Sequence, residues 1–160
     1  MSGAPPGERI RDPHIWVDAD ACPTVIKDIL FRAAERVGLV LTLVANHAVR
    51  TPPSQYLRSV QVAHGFDEAD HYITERVSPQ DLVITADIPL AAEVVSRGAT
   101  ALNPRGSLYT EANVRERLAI RDINEELRGM GATRGGPPAL GKRERQAFAG
   151  ELDRWLATRR

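Results

Sequence analysis

Five short apolar runs recur along the chain, and segments with helical spacing separate them. The runs are "HIWV" (14–17), "LVLTLVA" (39–45), "VQVA" (60–63), "LVIT" (82–85) and "ATAL" (99–102). After the first, residues 23–37 place Val25, Ile26, Ile29, Leu30 and Ala33 or Ala34 on one helical face. Gly38 is a stop signal for that helix. "DEADHYITERV" (67–77), 89–97 and 111–128 read as further helices, and Gly98 closes the second of these. "TPPSQYLRS" is punctuated by prolines and has room for a short turn of helix. Runs this apolar suit strands buried on both faces. Strand and helix that take turns, with short connections, predict a parallel sheet with helices on both sides. The expected fold class is therefore α/β: three layers, α/β/α, around a mostly parallel sheet of about five strands.

The chain has 160 residues, 42% of them hydrophobic and 26% charged, which suits one ordinary domain with a core. No apolar stretch approaches the roughly 20 residues that cross a bilayer. Residues 1–13 lack the apolar segment of a signal peptide and read as a flexible leader. Residues 14–128 form the expected α/β domain. Residues 129–160 bring a Gly/Pro-rich loop (129–141) and a final amphipathic helix (142–157). Phe148, Leu152, Trp155 and Leu156 of that helix can dock on the same domain. A single cysteine excludes an internal disulfide framework and fits a reducing cytoplasm. Net charge is zero, but its distribution is uneven. Residues 1–104 hold 9 Lys and Arg against 13 Asp and Glu, and residues 105–160 hold 12 against 8. An acidic first part joined to a basic second part suits a charged site with a cationic surround, or ordinary helix surfaces.

Open parallel sheets bind ligands beyond the carboxyl ends of their strands. In this chain every run is followed there by polar groups. Asp18 and Asp20 follow the first, and Asn46 and His47 the second. His64, Asp67 and Asp70 follow the third, and Asp87 the fourth. Asn103, Arg105 and Gly106 follow the fifth. Several carboxylates on one sheet edge repel each other unless a cation joins them. Oxygen ligands favour a hard divalent ion, Mg²⁺ or Mn²⁺. One cysteine and four histidines without the usual ligand spacing argue against zinc. A divalent ion that activates water and polarises a phosphoryl oxygen points to phosphodiester hydrolysis. The candidate acids for such a site are Asp18, Asp20, Asp70 and Asp87, with Asp67 a weaker one. Asn46, Asn103, Arg105, Lys142 and Arg143 are the expected substrate contacts.

Each candidate also has a plainer role. Asp20 and Asp87 precede Pro23 and Pro89, so either can cap a helix. Asp67 and Asp70 lie where carboxylates offset a helix dipole. Asp18 closes an apolar strand away from any capping position. Asp81 precedes its strand and reads as a turn residue at the opposite end of the sheet. Cys22, at a helix start, is a candidate nucleophile or a small buried side chain. Arg105-Gly106 can hold a phosphate. Lys142 and Arg143 in "GKRER" suit a nucleic-acid backbone or a solvated helix start.

The stretches "VDADACP", "VAN", "DEADHYI", "DLVITADIPLA", "ALNPRG", "KRERQAF" and "ELDRWL" resemble the uncharacterised bacterial YaiI/YqxD family, over nearly the whole of 15–156. That family is grouped by similarity with PIN-like domains, compact α/β/α folds that include many metal-dependent nucleases, mostly of RNA. The resemblance implies a first-strand acid at Asp18 and a Thr-x-Asp element at Thr85-Ala86-Asp87. It implies a middle acid at Asp70, with Asp67 as the alternative, and Asp20 as an extra acid, so that Asp18, Asp20, Asp70 and Asp87 would be catalytic, with the metal on Asp18, Asp70 and Asp87, and Thr85 beside them as a substrate contact. It also implies RNA as a partner and a tendency to form homodimers. One departure stands out: PIN-like sites often carry a further acid soon after the Thr-x-Asp aspartate, and here the next is Glu93. Two rival readings follow. Asp-x-Asp after a first strand is also similar to the opening of haloacid-dehalogenase-type phosphatases, with Asp18 as nucleophile and Thr85 in the second motif. A module that binds RNA or protein without cutting is the other.

Overall fold

A computed structural model describes residues 12–65, 67–129 and 140–158. The expected leader (1–13) and the expected loop (129–141) lie almost wholly outside the described residues. Five strands alternate with helices except between the second and third strands: β1 (His14–Asp18), α1 (Thr24–Val37), β2 (Val40–Ala45), β3 (Leu57–Gln61), α2 (Glu68–Arg76), β4 (Leu82–Ile84), α3 (Ile88–Ser96), β5 (Thr100–Leu102), α4 (Glu111–Gly129) and α5 (Lys142–Ala157). One 3-10 turn, Ala19–Ala21, follows β1. The sheet order is β3-β2-β1-β4-β5, and every strand pair is parallel. No helix among the described residues is long and apolar enough to cross a membrane.

Alternation along the strands divides the core into two layers. Ile15, Val17, Leu41, Leu43, Leu82 and Ile84 face one way, against Ile26 and Leu30 of α1 and Phe148, Leu152 and Trp155 of α5. Trp16, Val44, Val83 and Ala101 face the other, against Ile73 of α2, Leu90 and Val94 of α3 and Val114 of α4. The three-layer expectation therefore describes the molecule, and the four apolar residues expected to dock α5 are all buried. Local chemistry sets the helix ends. Gly38 adopts φ 82 and its N–H bonds the Ala34 carbonyl, which closes α1. Asp87 caps α3 by accepting the Leu90 N–H at 2.9 Å.

The third strand differs from the sequence expectation. It spans Leu57–Gln61, not 60–63, and no helical turn forms in "TPPSQYLRS". Leu57 pairs with Leu41 and is buried, while Arg58, Ser59 and Gln61 are exposed. β3 is an edge strand, so its outer face carries polar residues and masks the strand in the sequence.

Gly106 sets the turn after β5 against α5. Its φ is 96°, and an added Cβ would meet Ala147 Cβ at 2.6 Å. Left-handed backbone and overpacking act together here, so Gly106→Ala is expected to cost about 2–4 kcal/mol. A urea titration measures the loss, and a change within about 0.5 kcal/mol would contradict the close approach.

Candidate active site at the carboxyl edge of the sheet

The chain lays β2 and β3 on one side of β1, and β4 and β5 on the other. Strand order therefore reverses between β1 and β4, which is where open parallel sheets form their ligand crevice. Asp18 ends β1 at this point, and Thr85-Ala86-Asp87 leave β4 beside it. The Thr85 hydroxyl donates to Asp18 Oδ2 at 2.9 Å and accepts the Asp87 N–H at 2.9 Å. One fully buried threonine thus fixes both acidic residues.

A cavity of about 420 Å³ opens over this junction. Asp18, Asp20, Asp67, Glu68, Asp70 and Asp87 line it, with Asn46 and several small residues, and no Lys or Arg is among the described lining residues. Asp70 comes from the first turn of α2. Asp67 holds the N-cap position of that helix without a side-chain capping bond, at φ 71, the one non-glycine with positive φ among the described residues. Aspartate tolerates this conformation better than most residues, and such backbone settings gather at functional sites.

Burial, foremost, raises the Asp18 carboxyl to about 6, with Asp87 and Asp20 adding to it against the opposing Thr85 bond. Burial likewise lifts Asp70 to about 6, helped by Asp87, Asp18 and Asp67 and opposed by His71. Both acids therefore lie in a field already rich in negative charge. A divalent cation relieves that field, and an all-oxygen donor set suits Mg²⁺ or Mn²⁺. Among the described residues no three His, Cys, Asp or Glu side chains stand close enough to hold one ion between them. That spacing fits an ion taken up on one or two carboxylates, with its shell completed by water and substrate oxygens, as Mg²⁺ prefers.

The other expected residues separate by distance from the cavity. Asn46 lines it. Asp20 lines it too, but both its oxygens are engaged: Oδ2 accepts the Asn46 N–H at 3.1 Å, and Oδ1 lies 2.9 Å from His47 Nδ1. It does not cap α1, whose N-cap is Pro23. Asn103 stands behind the site. Its Nδ2 donates to the buried Tyr109 hydroxyl at 2.9 Å, and that hydroxyl donates to the Thr85 carbonyl at 3.2 Å. Arg105, Lys142 and Arg143 are outside the lining; Arg105 and Arg143 are near enough to Glu144 to help keep its carboxyl below the usual range, after its backbone hydrogen bonds.

Glu68 escaped the sequence reading, where two acids opening a helix look like dipole compensation. His47 was read only as a polar residue after the second strand; its contact with Asp20 was missed, since that depends on strand register. Cys22 is a core residue: burial pushes its thiol up to about 12, which suppresses the nucleophilic thiolate. Asp81 is more than a turn residue. Wholly buried at the opposite end of the sheet, it accepts from His14 N at 2.9 Å, Trp16 Nε1 at 3.0 Å and Ser78 N at 2.9 Å.

Comparison with known proteins gives one consistent result. A family model described as "Uncharacterized BCR, YaiI/YqxD family" matches residues 16–158. A "UPF0178 protein" of Halorhodospira halophila is 65% identical over 146 residues, covering 91% of this chain and 97% of the relative. A "UPF0178 protein" of Yersinia pestis is 60% identical over 143 residues, covering 89% and 94%. No solved structure matches the chain at a significant level.

Proposed function

The chain belongs to the uncharacterised YaiI/YqxD family, and from that premise we propose that the acidic cavity is the active site of a metal-dependent phosphodiesterase acting on RNA. The observation that carries this reading is a lining with six carboxylates and no Lys or Arg among its described residues. Asp18, with Asp70 or Asp87 beside it, would hold the ion, and water and substrate oxygens would complete its shell. When bound, the ion supplies positive charge for phosphoryl oxygens and acidifies a water for attack. The chain's own residues prepare that chemistry. Thr85 holds Asp18 through Oδ2, which leaves Oδ1 for the ion. Asp87 keeps one oxygen on the Leu90 amide and offers the other. Asp70 makes no side-chain hydrogen bond among the described residues and completes the acidic wall. RNA is the substrate implied by the PIN-like resemblance of the Asp18 and Thr85-Ala86-Asp87 segments. Arg105, Lys142 and Arg143, outside the cavity, would hold backbone phosphates away from the scissile one.

The two rival readings have less support. An aspartyl-phosphate mechanism at Asp18 lacks a lysine in the cavity lining. Binding without cutting draws on the missing further acid: Glu93 pairs with Arg97 at 2.8 Å and lines a neighbouring hollow instead.

Incubation with an RNA oligonucleotide tests all three. The expected result is cleavage in Mn²⁺ and none with excess chelator. Asp87→Asn keeps a good helix cap and is expected to lower the rate at least about 100-fold. RNA bound but uncut in Mn²⁺ would replace this reading with the binding module. A phosphoryl group trapped on Asp18 would replace it with the phosphatase.

A further inference from the structure

We propose that Asp20 and His47 form a carboxylate–imidazole dyad that delivers a proton to the departing ribose oxygen. The inference rests on the phosphodiesterase reading and adds to it a residue that the acidic cluster does not contain. His47 Nδ1 lies 2.9 Å from Asp20 Oδ1. Asp20 Oδ2 is held in turn by the Asn46 amide at 3.1 Å. With both oxygens assigned, the carboxylate cannot rotate without breaking a contact, so it presents a fixed acceptor to the ring. The parallel register that pairs Asp18 with Val44 brings the two loops to one level. Asp20 and Asn46 both line the cavity, and His47 stands beside that wall with its side chain 58% exposed.

An exposed ion pair by itself contributes little to stability. This pair is distinguished by its anchoring through Asn46 and by its carboxylate partner, which lines the acidic site. With Nδ1 turned to the carboxylate, Nε2 becomes the outward nitrogen, and a positioned imidazole of this kind serves as general acid or base. The cavity's own carboxylates suit a cation and an attacking water, and the dyad adds a positioned proton donor next to them. In the step, water adds to phosphorus and its proton passes to solvent. The bond from phosphorus to the ribose oxygen breaks, and that oxygen takes the Nε2 proton of the imidazolium. The ring then regains a proton from solvent.

His47→Ala in the full chain tests the dyad with two substrates in Mn²⁺. One is an RNA oligonucleotide, whose ribose alkoxide leaves poorly without a proton. The other is bis(p-nitrophenyl) phosphate, whose phenolate leaves without one. The expected result is about a 100-fold lower kcat on RNA, an unchanged rate on the nitrophenyl ester, and partial recovery of RNA cleavage with added imidazole. Mn²⁺ affinity by calorimetry is expected to match the wild type. Equal losses on both substrates, or no loss on RNA, would overturn the dyad. Wild-type turnover would then leave the phosphodiesterase reading standing. A wild type that cleaves neither substrate in Mn²⁺ would overturn both.

Discussion

Asp18→Asn is expected to make the protein more stable at pH 7.5 and to silence it. In the fold the Asp18 carboxyl titrates at about 6, above its ordinary value of 3.8, chiefly because it is buried. A raised acid favours the folded state when protonated. Its stabilising contribution is complete below 3.8 and is lost as the pH climbs through about 6. At pH 7.5 the ionised carboxylate therefore costs roughly 3 kcal/mol relative to its protonated form. Asparagine keeps an oxygen to accept the Thr85 hydroxyl and removes the charge. Urea titrations are expected to show a gain of about 2–3 kcal/mol at pH 7.5 that vanishes near pH 3.5. Activity in Mn²⁺ is expected to fall about 1000-fold, since a principal ligand is gone. A variant less stable than wild type at pH 7.5, or one that keeps its activity, would contradict this account. Stability given up around ionised acids is what an ion-binding site requires, because cation binding then restores it by mass action.

The same chemical type at the other end of the sheet is expected to behave in the opposite way. Asp81 is wholly buried and receives three donors, from His14, Trp16 and Ser78. It joins the start of β1 to the turn before β4, and its carbonyl accepts the Thr100 N–H at 3.1 Å. Asp81→Ala would strand a buried indole N–H and leave two part-buried amides without their acceptor, and a fully buried orphan costs about 1–3 kcal/mol. A loss of roughly 3–5 kcal/mol is expected, a large part of a domain's total stability. Thermal melts of the two variants side by side are decisive: Asp18→Asn should melt above wild type at pH 7.5 and Asp81→Ala well below it. An Asp81→Ala protein with a wild-type melting temperature would show that these hydrogen bonds do not anchor the sheet.

The sequence carried the fold where burial was strongest. "HIWV", "LVLTLVA" and "LVIT" become the three central strands, and strands buried on both faces must be apolar throughout. Gly38 and the Asp87–Pro89 pair announced their helix ends, because capping chemistry is local. The edge strand was misplaced, since Arg58, Ser59 and Gln61 face solvent and leave no apolar run to read. In the site, Asp18, Asp70 and Asp87 were legible as acids following strands, and they do line one cavity. The Asp20–His47 contact was not legible, because it follows from β1 lying beside β2 in a definite register. Nor was the pairing of Asn103 with Tyr109, a contact across a tight turn. Arg105 was read as a site residue from its place after the fifth strand, and Lys142 and Arg143 from their charge, yet none of the three is among the described lining residues.

The account depends most on one ion entering among Asp18, Asp70 and Asp87. Crystals soaked in Mn²⁺ at pH 7.5 and measured at a wavelength where manganese scatters anomalously test this most directly. The predicted result is an anomalous peak inside the cavity, within bonding distance of Asp18 and of at least one of Asp70 and Asp87. A cavity without a peak at saturating Mn²⁺, or manganese bound only elsewhere on the surface, would contradict it.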